Sequence, residues 1–244
     1  MEALQALSNE IGQPGTEKLY RAVERRNLPY NRKQVADFVR AQSTRQVFQK
    51  RPKYEGKITA VKINDRWAAD LIDYTAKPSM VEGSDSPYQY ILIVQDIFSR
   101  KIFVHALRSK TADVVEQAFQ SIVHRGGHPN RLDTDDGLEF KGPFDKYLVE
   151  EDIFHQVADP RNKNARGTLD AAIKVLRQQL ARIQTTEGHR NWADVLQKAA
   201  DNYNDQVHSA LIGRAPDDVA GSKDLQFDLR WRAGQDMQKN TQLS

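Results

Sequence analysis

The hydrophobic pattern of the chain changes period near residue 60, and that change limits the folds open to it. Before it, apolar residues recur at helical spacing. After it come short runs rich in β-branched and aromatic residues. Trp67–Tyr74 (WAADLIDY), Tyr88–Phe98 (YQYILIVQDIF) and Lys101–Leu107 (KIFVHAL) read as strands, the last two joined by a tight Ser99-Arg100 hairpin. Thr111–His124 then reads as a helix, with Val114, Val115, Ala118, Phe119 and Ile122 on one side. Arg131–Asp135 is a short strand, followed by a helix around Pro143–Glu151, a strand at Ile153–Val157, and amphipathic helices at Leu169–Ile183 and Asn191–Val207. Three antiparallel strands, helix, strand, helix, strand and then helices describe a mixed α/β sheet, not a barrel or a sandwich.

The first sixty residues read differently. Glu17 to Arg26 is helical, and Asn31 is a plausible N-cap for a helix from Arg32 to Gln42 with Val35, Phe38 and Val39 facing inward. With Arg32, Lys33 and Arg40 on the second helix, the pair suits a helix-turn-helix-like DNA-binding module, and equally a plain helical hairpin. Charge sharpens the division. Residues 1–60 hold 12 Lys+Arg against 6 Asp+Glu, whereas the other 184 hold 24 against 27. A basic segment of this kind suggests an anionic partner, most commonly nucleic acid. The expected organisation is a helical module at 1–46, a basic linker at 47–60, an α/β core at 61–220 and a C-terminal tail at 221–244. The chain has no cysteine, which excludes disulfides and thiolate zinc sites. The N-terminal MEALQALSNEIG lacks the features of a secretory signal, and no apolar run is long enough to span a membrane. The expectation is a nuclear or otherwise intracellular protein with no membrane partner.

Three carboxylates occupy telling places. Asp70 lies mid-strand in an apolar run, Asp135 ends the fourth strand ahead of Gly137, and Asp170 begins the long helix. Singly, each has an ordinary explanation, such as the favourable helix dipole at Asp170. Together, since the first and fourth strands can be neighbours in the sheet and a helix packed on that edge can reach both, they predict a shared site whose mutual repulsion a divalent cation relieves. Hard oxygen ligands select Mg²⁺ or Mn²⁺. Asp73 and Asp96 are read as solvent-facing or turn-capping residues. His124 and His128, with two glycines between them, are read as the exposed end of a helix, not a metal pair.

These residues resemble the acidic motifs of retroviral-type integrases, and especially the integrases of Maverick/Polinton self-synthesising transposons. Trp67-Ala-Ala-Asp70-Leu-Ile-Asp resembles the first motif, Thr134-Asp135-Asp136-Gly137 with Phe140 the second, and Gly167-Thr168-Leu169-Asp170 the third. Residues 90–107 resemble the family's hairpin; Tyr203-Asn204, His208 and Pro216 resemble its closing helix. Leu19-Tyr20 and Lys33 to Val35 resemble the transposon integrases' N-terminal segment. The resemblance spans roughly residues 15–220. It implies an RNase H-like core, two metal ions held by Asp70, Asp135 and Asp170, 3′-end processing and strand transfer on DNA, and a homo-oligomer.

The departures are specific. The zinc-binding His-His-Cys-Cys module is absent, Asp136 stands where Asn is usual, Asp170 where Glu is usual, and residues 221–244 are too few for the family's C-terminal barrel. Lys174 and Arg177 share the helix face of Asp170, and Arg161, Lys163 and Arg166 lie just upstream. They make a candidate phosphate-binding surface. Two alternatives accompany the integrase reading. One is a domesticated, catalytically impaired copy serving as a DNA-binding or structural subunit of a larger assembly. The other is an RNase H-like nuclease that only cuts.

Overall fold

The computed structural model describes residues 2–10, 16–41, 59–83, 85–157, 167–189 and 191–241. The chain divides into two units, Met1–Lys53 and Tyr54–Ser244. In the first, helices α1 (Glu2–Glu10), α2 (Thr16–Arg25) and α3 (Arg32–Ala41) bury Leu4, Leu7, Leu19, Val23, Val35, Phe38 and Val39 in one small core. Asn31 caps α3 as expected. Its Oδ1 accepts from the Gln34 amide at 2.9 Å, while Gln34 Oε1 accepts from the Asn31 amide at 2.9 Å. This reciprocal pair satisfies two otherwise orphaned donors. The turn before it passes through the left-handed region at Asn27, φ 50°. Asn tolerates that conformation better than most residues. Linker residues 47–58 lie outside the described residues.

The second unit is a five-stranded sheet, β1 (Trp67–Asp73), β2 (Tyr90–Asp96), β3 (Ile102–Leu107), β4 (Arg131–Thr134) and β5 (Phe154–Val157). Its order is β3-β2-β1-β4-β5. The β1–β2 and β2–β3 pairs are antiparallel, and β1–β4 and β4–β5 are parallel. Helix α4 (Ala112–Gly126) makes the crossover from β3 to β4, α5 (Pro143–Glu150) that from β4 to β5. Helices α6 (Gly167–Glu187), α7 (Trp192–Asn204), α8 (Pro216–Gly221) and α9 (Lys223–Thr241) follow. This is the mixed α/β sheet that the element order predicted, in the RNase H-like form that the resemblance implied.

Alternation along β1 explains the two cores. Trp67 and Ala69 join Leu92, Val94, Phe119, Leu132 and Phe144 on the face covered by α4 and α5. Ala68 and Ile72 join Ile91, Ile93, Leu169, Leu176, Leu180, Ala199 and Tyr203 on the face covered by α6 and α7. A strand buried on both faces reads as a nearly continuous apolar run, which is why an Asp in its middle is conspicuous. Residues 223–241, expected within a tail, are helical instead, and Leu225 and Leu229 of α9 enter the second of these cores.

Candidate active site

The position of Asp70 follows from period-two geometry. It lies between Ala68 and Ile72, so it projects toward the α6 face, and it is half-buried. The parallel pairing of β1 with β4 sets Trp67 opposite Leu132 and Ala68 opposite Asp133. Carried onward, that register brings Asp135, one residue past the end of β4, level with Asp70 on the neighbouring strand. Two features hold the register. The Arg66 Nε donates to Asp133 Oδ2 at 2.7 Å, an almost buried ion pair that ties the start of β1 to β4. Burial pushes the Asp133 carboxyl above the usual range while Arg66 pulls it down. At the other side of β1, the buried carboxylate of Asp96 accepts from the Asn64 amide at 2.7 Å, Trp67 Nε1 at 3.1 Å, the Ser99 amide at 2.6 Å and Ser99 Oγ at 2.9 Å. It thereby anchors the first residue of β1 and the β2–β3 hairpin together. Burial raises its pKa above the usual carboxylate range.

The turn after β4 is equally specific. Asp135 Oδ1 accepts from the Gly137 amide at 3.1 Å, closing an Asx-type turn. A Cβ at Gly137 would lie 2.7 Å from the Glu139 carboxyl carbon and 2.9 Å from Asp135 Oδ1. Glycine here lets two carboxylates crowd the same small space. Asp136, whose extra charge beside Asp135 stood out in the sequence, is exposed and pairs with Lys141 Nζ at 2.7 Å.

Asp170 stands on the first turn of α6 and is exposed, while Leu169 and Ala172 beside it pack into the core. Lys174 and Arg177 are exposed on the same helix. Arg177 lies close enough to Tyr74, just past β1, for its charge to pull down a phenol that burial pushes up. The basic stripe therefore runs toward the end of the strand that carries Asp70. Arg32 and Lys33 are exposed on α3; the side chain of Arg40, and Arg161, Lys163 and Arg166, lie outside the described residues. Asp73 caps a turn, accepting from the Thr75 amide at 2.7 Å and its hydroxyl at 2.6 Å. His124 and His128 are exposed at and beyond the end of α4, as read from the sequence.

The donor set is all carboxylate oxygen, in a chain with no thiolate, and suits a hard divalent cation. Asp70 in β1 and Asp135 just past β4 are the residues on the sheet side that could contribute to such a site. Among the described residues, no three His, Asp or Glu side chains stand together as a group that could hold an ion. Asp70, Asp135 and Asp170 do not make up such a group among the described residues. Sequence reasoning passed over Asp133, Arg66 and Glu139. The alternation of Asp133 in β4 with Asp135 just past it was the available signal for the first, since residues two apart share a face.

Comparison with known proteins supports the fold. No protein-family model matches the chain. An uncharacterized transposon-derived protein of Caenorhabditis elegans is 31% identical over 131 residues, covering 53% of this chain; the chain spans 45% of that protein's length. Among solved structures, the HTLV-2 integrase catalytic core domain in complex with magnesium, in a trimeric form, is similar with a TM-score of 0.53 at 18% identity, covering 64% of this chain and 96% of that one. The catalytic core of BIV integrase gives 0.52 at 17%, covering 64% and 93%. The simian T-cell lymphotropic virus intasome, in complex with a PP2A regulatory subunit, gives 0.54 at 14%, covering 82% and 68%. The second unit has the RNase H-like fold of integrase catalytic cores.

Proposed function

We propose that the chain is the core of a DNA integrase or transposase, closest in kind to those of Maverick/Polinton transposons, which processes 3′ ends and transfers them to target DNA. The observation that carries this reading is the parallel β1–β4 pairing in an integrase-like sheet, Trp67 opposite Leu132 and Ala68 opposite Asp133, whose continuation by two residues would set Asp70 level with Asp135. The similarity to a transposon-derived protein supports it, as does the magnesium complex of the HTLV-2 core. Asp70, Asp135 and Asp170 are the residues that would hold Mg²⁺ or Mn²⁺, two ions in the family pattern. Bound ions supply activation of the attacking oxygen and charge stabilisation of the leaving one. Lys174, Arg177, Lys163 and Arg166 would grip backbone phosphates beside the carboxylates. Arg32, Lys33 and Arg40 would do so from the helical module. The pairing of Asp136 with Lys141 offsets its charge, so this departure from the family pattern leaves room for a working site. The trimeric HTLV-2 core and the intasome support a multimer as the working form.

A second reading keeps the fold and the DNA grip without the chemistry, as a structural subunit of a larger assembly. Asp170 favours it, being one methylene shorter than Glu and exposed on its helix. The test is Mg²⁺- or Mn²⁺-dependent joining of a pool of duplex DNA ends to a supercoiled plasmid. The integrase reading expects products that vanish in Asp70→Asn and Asp135→Asn and increase in Asp170→Glu. No product in either metal from folded protein, or product that survives Asp70→Asn, would overturn it.

A further inference from the structure

A chain of three side chains, from three elements, grips the turn that carries Asp135. Thr134, the buried last residue of β4, donates from Oγ1 to the carbonyl oxygen of Asp135 at 2.8 Å. A hydroxyl has one proton to give. The other bond of the same oxygen, to Nε2 of His155 in β5 at 2.8 Å, is therefore donated by the ring. Nδ1 of that ring stands 2.6 Å from Oδ1 of Asp145 in α5, and an ionised carboxylate only accepts. His155 is thereby held at both ring nitrogens, by Thr134 on one side and Asp145 on the other. The ring of Phe144 meets the imidazole edge-on at 6.3 Å between centroids and fixes its plane.

The arrangement stands out from its surroundings. β5 is an edge strand whose Phe154, Gln156 and Val157 are exposed, and His155 is its one partly buried residue. The imidazole spans from a helix to the last side chain before Asp135. On the far side, the Gly137 amide holds Asp135 Oδ1. The peptide of Asp135 is thereby held through Thr134 and its carboxylate through Gly137.

We propose that Asp145, His155 and Thr134 form a positioning relay that sets the direction of the Asp135 carboxylate. His155 is its central positioning residue. The inference rests on the integrase reading only in taking Asp135 to be a cation ligand; the relay itself is defined without an ion. Two isosteres of His155 separate its nitrogens. The Asn amide nitrogen overlaps Nδ1 and keeps the bond to Asp145. The Gln amide nitrogen overlaps Nε2 and keeps the bond to Thr134.

The experiment uses the 244-residue chain and its His155→Asn, His155→Gln and Thr134→Val variants. It measures Mn²⁺ affinity by calorimetry, hydrogen exchange of the Gly137 amide without metal, and the thermal midpoint. Partners behind a metal ligand typically account for about tenfold or more in affinity. The relay expects His155→Asn and Thr134→Val to weaken Mn²⁺ binding by about that factor and to speed Gly137 exchange. His155→Gln should stay near the parent on both. Equal loss in the Asn and Gln variants, tracking the thermal midpoint, would reduce His155 to a packing residue and overturn the proposal. Parent-like behaviour of His155→Asn would overturn it too. If the parent binds no Mn²⁺ in a manner dependent on Asp70 and Asp135, the cation reading fails, and the Asn–Gln contrast in metal-free exchange still decides the relay.

Discussion

Asp96 shows how much one side chain can do when each oxygen has two donors. Oδ2 serves the Asn64 amide and the Trp67 indole, and Oδ1 serves the Ser99 amide and hydroxyl. In Asp96→Asn, either rotamer turns an NH₂ toward two donors. Buried donors left unmet destabilise by about 1–3 kcal/mol each, so urea unfolding should show a loss of about 2–3 kcal/mol. Gly137 makes a contrasting case. The atoms that an added Cβ meets are the far ends of Glu139 and Asp135, which can rotate away. Gly137→Ala should leave stability within about 1 kcal/mol while weakening Mn²⁺ binding that depends on Asp135, measured by calorimetry. Both residues had a sequence signal only in part. A strand Asp beside a tight hairpin suggested a cap, which is what Asp96 is, but its hold on Trp67 spans 29 positions and cannot be read locally.

Helix α6 carries the third carboxylate and the basic stripe, and its pattern was legible because Leu169, Leu176, Leu180 and Ile183 recur at helical spacing. Its far end is tied to α7 by Glu187, whose carboxylate accepts from Lys198 Nζ at 2.6 and 2.8 Å. The hydrogen bond from Lys198 holds the Glu187 carboxyl below the usual range. A group whose folded pKa is depressed contributes fully above its unfolded value, near 4.5, and loses that contribution as pH falls through the lower folded value. Thermal midpoints of the parent and Glu187→Gln, measured from pH 7 downward, should differ at neutral pH and converge below about pH 4. A constant gap across that range would contradict the ion pair as the cause. Strand β5 was also legible as a strand, although three of its four residues are exposed. Its pairing with β4, which brings His155 to Thr134, was not.

At the scale of the whole molecule, the division of charge matches the division of structure. The basic first sixty residues include a helical module with its own core, and the second unit is an RNase H-like sheet flanked by helices. Exposed cations on α6 add a second basic surface, with Arg177 near Tyr74 just past β1. Replacing Lys174 and Arg177 with Glu should weaken duplex DNA binding for all sequences alike. Each lost phosphate contact should reduce the slope of log K against log salt by about 0.9, measured by fluorescence anisotropy across a salt series. An unchanged slope would place the DNA elsewhere. No helix among the described residues is long and apolar enough to cross a membrane.

The sequence by itself determined the strand order, the absence of thiolate chemistry, the capped α3 and the special status of Asp70. Each of these is written in local periodicity, composition or a short motif. Only the tertiary structure decided how β1 and β4 pair, because their parallel register joins segments about sixty residues apart through a helical crossover. It also decided that Asp133 is a clamp with Arg66, that α9 completes the core through two leucines, and that His155 links α5 to the Asp135 turn. Those contacts depend on register between distant strands, and no window of adjacent residues contains that information.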